Sequence, residues 1–184
     1  MGLLYILRHA DVIYQNNSLD KYVNLSEKGK SQIKLLTERW DFSIDLVFSS
    51  PLPRALESVD LLARKYNIPI NIENGLEELN YAGDASIFHK RIETDKNFKY
   101  AGGETISEAS DRFQRAVVKL ASSYSDEVLL LSTHGTVLSE FLKSNFNYPQ
   151  NCYFGIRTPD VFKVEYDSFN SKFVSVCKNV LVIE

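Results

Sequence analysis

Short unbroken apolar runs alternate along this chain with longer stretches whose apolar positions recur every three to four residues. Leu3-Leu4-Tyr5-Ile6-Leu7 is of the first kind, the pattern of a strand buried on both faces. Leu46-Val47-Phe48 and Val128-Leu129-Leu130-Leu131 read the same way, and 70–72 makes a shorter one. Between them the period changes to that of a helix. Ile33, Leu36 and Trp40 form a stripe behind Ser26, a capping residue that follows the polar, turn-rich stretch 12–24. Leu56, Val59, Leu62 and Ala63 form a second stripe, opened by Pro51 and Pro53 and broken by 67–69. Ile106, Ala109, Phe113, Ala116, Val117 and Leu120 form a third, opened by the capping pair Thr105 and Glu108. Val137, Leu138, Phe141 and Leu142 predict a further helix over 136–145, and the β-branched and aromatic runs 161–166 and 173–183, joined by 167–171, predict a closing pair of strands.

Two features interrupt this alternation. Gly29 lies inside the first predicted helix, where it costs about 1 kcal/mol relative to alanine, so close approach of another backbone or a ligand is expected there. The stretch 75–103 has no long period. A short helix over 85–92 is expected within it, and the whole is read as a lid whose aromatics Tyr81, Phe88, Phe98 and Tyr100 would stack on a ligand, line a wall or pack the lid down.

Strands followed by helices imply parallel pairing, and such a sheet presents its ligand site beyond the carboxyl ends of its strands. Arg8-His9 follows the first strand, Thr133-His134-Gly135 follows 128–131, and Ser49-Ser50-Pro51-Leu52-Pro53-Arg54 follows 46–48. Two imidazoles and two guanidiniums are therefore expected to share one pocket. The planar fork of arginine matches phosphate geometry, which gives Arg8 and Arg54 their role. A neutral imidazole nitrogen is a competent nucleophile toward phosphorus, which makes His9 the candidate. His134, protonated by the bound dianion, would add a charge-assisted donor.

Bulk composition narrows the partners. With 184 residues, of which 44% are hydrophobic and 24% charged, the chain has the size and make-up of one globular domain, 1–184. A formal charge of -3 gives no general basic field for nucleic acid. No apolar run reaches the length of a membrane span, and the start lacks the pattern of a signal peptide, so a cytoplasmic location is expected. Cys152 and Cys177 fall outside any metal or redox spacing and are expected as reduced, partly buried thiols.

Leu7-Arg8-His9, the run Leu25-Ser26-Glu27-Lys28-Gly29-Lys30-Ser31-Gln32, Ser49 to Ala55, Gly102-Gly103-Glu104-Thr105 and Thr133-His134-Gly135 occur in that order. Taken together they resemble the histidine phosphatase superfamily, the phosphoglycerate mutase-like proteins. The resemblance implies an α/β fold, a three-layer αβα sandwich on a mostly parallel, doubly wound sheet with a short lid insertion. It implies a phosphohistidine on His9, a phosphate pocket of Arg8, Arg54 and His134, and a substrate contact at Gly135. It also implies a proton donor, and Leu76-Glu77-Glu78-Leu79-Asn80-Tyr81 makes Glu78 the matching residue. Four positions depart from the family pattern. Ala10 and Ala82 stand where glycines are usual, Asp11 replaces a longer acid or amide, and Gln15 stands where an asparagine commonly contacts phosphate.

The reading is of a phosphomonoester hydrolase with no cofactor and no metal, acting on a small phosphorylated substrate, with no nucleic-acid or membrane partner. Oligomeric state is left open. A metal could be imagined among His9, His134, Asp11 and Glu78, but two fixed guanidiniums would repel a divalent cation. A phosphoglycerate mutase would use the same pocket, yet no paired-arginine motif or longer tail is present. A degenerate member that only binds phospho-ligands is the remaining alternative, suggested by Ala10, Gln15 and Ala82. His89 matches nothing and is expected at the surface. Lys90, Arg91, Lys96 and Lys99 would form a solvated face or draw in an anion.

Overall fold

Along the chain run β1 (Gly2–Arg8), α1 (Glu27–Arg39), β2 (Leu46–Ser49), α2 (Pro53–Tyr66), β3 (Ile70–Ile72), α3 (Ala85–Ile92), α4 (Ile106–Ser123), β4 (Val128–Thr133), α5 (Gly135–Phe146), β5 (Asp160–Asp167) and β6 (Lys172–Lys178). This is the order in a computed structural model that describes residues 1–13, 22–146 and 156–178. The strands form one sheet in the order β3-β2-β4-β1-β5-β6. Pairing is parallel from β3 through β1, and antiparallel from β1 to β5 and from β5 to β6.

Alternation along the central strands divides the core in two. Leu4 and Ile6 of β1, Leu129 and Leu131 of β4 and Phe48 of β2 face one side, where they meet Phe113, Val117 and Leu120 of α4 and Val137, Leu138 and Phe141 of α5. Tyr5 and Leu7, Leu130 and Val47 face the other, where Ile33 and Leu36 of α1 and Val59 and Leu62 of α2 close over them. A strand turns successive side chains to opposite faces, so an unbroken apolar run needs helices on both. The result is the expected three-layer α/β sandwich, with the mixed edge supplied by β5 and β6.

The helix ends follow their capping chemistry. Ser26 Oγ accepts the Gly29 amide, Pro53 occupies the first turn of α2, and Thr105 and Glu108 exchange side-chain and backbone bonds as a capping box. Gly29 meets the expected close approach. A Cβ there would lie 2.1 Å from the carbonyl oxygen of Asp11, in the loop that follows His9.

The stretch between β3 and α4 packs on the α4–α5 side of the core through Leu76, Leu79 and Phe88, all buried. Its aromatics run in a chain of ring contacts, Tyr81–Phe88 at 5.0 Å, Phe88–Phe98 at 5.8 Å and Phe98–Tyr100 at 5.1 Å between centroids. Packing is what these rings do. The basic run is a surface feature: Lys99 pairs with Glu108 at 2.5 Å and Arg91 lies over the Phe98 ring.

Cys177 corrects an expectation: it is exposed, on β6, the outermost strand, and no helix among the described residues covers its face. Cys152, Gln15 and the predicted strand residues 179–183 lie outside the described residues. Among the described residues, no helix is long and apolar enough to cross a membrane.

Candidate active site

Insertion of β4 between β2 and β1 sets three strand ends side by side, with Arg8 level with Thr133 and Ser49 level with Ser132. Backbone bonds carry this register one residue beyond the ladder. The His9 amide donates to Thr133 O at 3.0 Å and the Ser50 amide to Ser132 O at 3.0 Å. His9 and His134 are thereby placed with ring centroids 5.2 Å apart.

His9 is buried, and its Nδ1 lies 2.8 Å from the carbonyl oxygen of Ala10. A carbonyl only accepts, so the proton is on Nδ1 and the lone pair is on Nε2. Burial, and then the Arg54 and Arg8 guanidiniums, push the ring down to about 3 against the opposing pull of the Ala10 carbonyl. His9 is thus a neutral imidazole near pH 7 with its lone pair on Nε2. Ala10 fits the place where a glycine is usual because its φ is not positive, and its amide donates to Ser58 Oγ at 3.0 Å. Ser58 in turn donates to Arg54 O at 2.7 Å, joining the His9 loop to the start of α2.

Arg54 reaches across to His134, its Nε donating to Nδ1 at 3.2 Å. The other ring nitrogen, Nε2, then carries the proton and donates to Ser50 Oγ at 2.8 Å. His134 is fully buried, and burial together with Arg54, His9 and Arg8 holds it well below the ordinary histidine range. The protein's own groups therefore make His134 a neutral acceptor that orients Arg54. The cationic donor role expected from sequence would break the Arg54 bond, because a protonated ring has no lone pair on Nδ1. Arg8 donates to the carbonyl of Ile156 and lies flat against Gly135, where a Cβ would sit 2.9 Å from its Cζ. Only glycine leaves room for that guanidinium.

Glu78 is reached from the first turn of α5, the helix that starts directly after His134. Its Oε2 accepts the Thr136 amide at 3.0 Å; its Oε1 accepts the Val137 amide at 3.3 Å and the Leu79 amide at 2.9 Å. Amides at the start of a helix are natural partners of a carboxylate. A carboxylate offers about four lone-pair directions, and three are taken here. Among the described residues, Oε1 accepts two bonds and Oε2 one.

Asp11 is a loop carboxylate that accepts from Ser26 Oγ at 2.5 Å. Three residues absent from the expected set touch this region. Tyr81, beside Glu78, is pushed up to about 12 by burial and then by that carboxylate, and its hydroxyl meets His89 Nε2 at 3.2 Å. His89 is exposed as expected but is joined to the site through Tyr81. Arg112 of α4 donates to the backbone around Glu78. Nothing local in the sequence signals it.

Three comparisons extend this geometry to known proteins. Over 104 residues the chain is 28% identical to the uncharacterized phosphatase PhoE of Bacillus subtilis, a match that covers 55% of this chain and 53% of that protein. The chain thus spans about half the length of that relative. It is 22% identical over 152 residues to phosphoserine phosphatase 1 of Hydrogenobacter thermophilus, covering 73% and 71% of the two chains. The solved structure of Bacillus stearothermophilus YhfR superposes with a TM-score of 0.79 at 19% identity, over 95% of each chain, which establishes the shared fold. The family model of the histidine phosphatase superfamily (branch 1) matches residues 4–178, and the chain belongs to that superfamily.

Proposed function

We propose that the protein hydrolyses a phosphomonoester through a phosphohistidine formed on His9. The observation that carries this reading is the His9 ring itself: neutral, with Nδ1–H committed to the Ala10 carbonyl, Nε2 without a hydrogen bond among the described residues, and the Arg54 and Arg8 guanidiniums near enough to act on it. His9 Nε2 forms the N–P bond in line as the ester P–O bond breaks, and the leaving oxygen takes a proton from Glu78. Water then attacks the phosphohistidine, giving its proton to the Glu78 carboxylate and releasing orthophosphate. Arg8 and Arg54 neutralise the charge on the phosphoryl oxygens, with His134 holding the Arg54 fork and Gly135 lending the close approach that Arg8 needs.

The lighter bonding of Oε2 among the described residues supports it as the atom that carries the transferred proton. Two guanidiniums supply the positive charge, so the mechanism requires no metal, and activity is expected to persist in EDTA. Likeness to a phosphoserine phosphatase supports a small phosphorylated substrate. The stretch 75–103 is proposed as the lid that selects it.

Replacing His9 by alanine tests the mechanism. Turnover of 4-nitrophenyl phosphate is expected to fall by roughly 10³-fold or more. Rapid quench of the unaltered protein with that ester should leave an acid-labile phosphate on the peptide containing His9, seen by mass spectrometry. Activity of the variant within a few fold of the original would sink the reading. Phosphate passed to a second hydroxyl in place of release would convert it to a mutase.

A further inference from the structure

Four consecutive carbonyls precede and include the candidate acid, at Gly75, Leu76, Glu77 and Glu78, and all four are bonded by side chains from other elements. Thr133 Oγ1 donates to Leu76 O at 2.8 Å. Arg112 takes the other three: Nη1 donates to Gly75 O and Glu77 O, both at 3.0 Å, and Nη2 to Glu78 O at 3.2 Å. Its remaining donors go to Glu104, Nε to Oε1 at 2.8 Å and Nη2 to Oε2 at 2.9 Å. All five N–H groups of the guanidinium are thereby used.

Glu104 closes the arrangement from the far side. Its Oε2 accepts the Asn80 amide at 3.0 Å, and its own amide donates to Asn80 O at 2.9 Å. The pair is about three-quarters buried, with side chains 24% and 23% exposed, so it is shielded from the solvent screening that weakens surface pairs. Apart from a single 3₁₀ turn at Asn74–Leu76, the segment that bears Glu78 has no ladder or helix of its own. Its backbone is set chiefly by one arginine from α4.

We infer that Arg112, held by Glu104, is a positioning residue that fixes the Glu78 carboxyl against the pocket; the inference rests on Glu78 being the proton donor proposed above. Arg112 touches no reacting atom. It aligns three carbonyls of the loop while α5 amides align the carboxylate, and together these determine where Oε2 stands. Lysine in its place would keep the charge but offer three donors in no fixed plane.

The measurement compares kcat/KM for two probes, 4-nitrophenyl phosphate, whose phenolate leaves with little help from a proton, and β-glycerophosphate, whose alkoxide needs one. Arg112→Lys is expected to lower kcat/KM for β-glycerophosphate about tenfold more than for 4-nitrophenyl phosphate. Glu78→Gln should show the same selectivity more strongly, by roughly 10²-fold. Glu104→Gln, which keeps the shape of the partner, should shift the ratio in the same direction by a smaller factor and serves if the lysine variant fails to fold. Equal losses on both probes in the Arg112 and Glu104 variants, with the selective loss intact in Glu78→Gln, overturn the inference and leave the proton donor standing. No selective loss in Glu78→Gln overturns the proton donor itself, and the inference with it.

Discussion

The pocket at the strand ends and the loop that carries Glu78 lie against each other yet are built differently. In the pocket, His9, His134 and Ser50 inherit their places from strand register, each one residue beyond a ladder, with the ladder's hydrogen bonds continuing through His9 and Ser50. In the loop, Glu78 has no ladder, and its place comes from a guanidinium on one helix and amide groups on another. On the proposed reading, phosphate capture would then be as rigid as the sheet, whereas proton delivery would depend on a few side chain to backbone bonds. The two should fail in different ways.

The largest expected effect tests the pocket through its buried rings. Both histidines lie below their ordinary range in the fold, so above about pH 6.5 both folded and unfolded forms are neutral and stability is full. As pH falls, the unfolded chain takes up protons that the fold refuses, and stability drops until the folded ring titrates, at about 3 for His9. The loss is about 1.4 kcal/mol per pH unit for the His9 ring, roughly 2.7 kcal/mol by about pH 4.5, and His134 adds a loss of the same sign. Denaturant midpoints across that range measure it, and a flat profile would contradict the pocket as described.

Arg54→Ala should come next, lowering kcat/KM by roughly 10²–10³-fold on both good and poor leaving groups, because it holds charge common to every phosphate ester. A loss confined to poor leaving groups would move Arg54 out of the phosphate pocket. Gly29→Ala should cost about 2–3 kcal/mol, since the added carbon meets a backbone oxygen that cannot move without shifting the His9 loop. Thermal melting gives the number; an unchanged midpoint would show the loop to be pliant. Ala82→Gly sharpens the contrast from the other side. Ala82 has φ +52°, and glycine there should raise stability by up to about 1 kcal/mol without altering kcat/KM on 4-nitrophenyl phosphate.

Most of the pocket could be read from the sequence because its geometry is local. A buried strand announces itself as an unbroken apolar run, and the residue after it must stand at the sheet edge. For that reason the strands leading to Arg8-His9, Arg54 and His134 are expected to end at one edge, and β1, β2 and β4 end there side by side. The bounds of α3, the Thr105 capping box and the crowding at Gly29 were equally legible, each following from a short-range rule. Arg112 was not. It acts 34 to 37 residues away on carbonyls, which carry no side-chain identity to recognise. The Tyr81–His89 contact and the acceptor role of His134 were hidden for a similar reason: both depend on which atom of a side chain meets which neighbour. Cys177 was misjudged because burial on the outermost strand depends on what lies beyond it.

The first turn of α5 begins immediately after His134 and ends at the amides that grip Glu78. His134 and the carboxylate of Glu78 are thus tied to the same short turn, one by the chain itself and the other by hydrogen bonds. A shift of that turn would move the imidazole directly and pull on the carboxylate against the hold of Arg112. On the proposed reading, changes beyond Asn80 can then reshape which ester is admitted while this link between the two groups is kept.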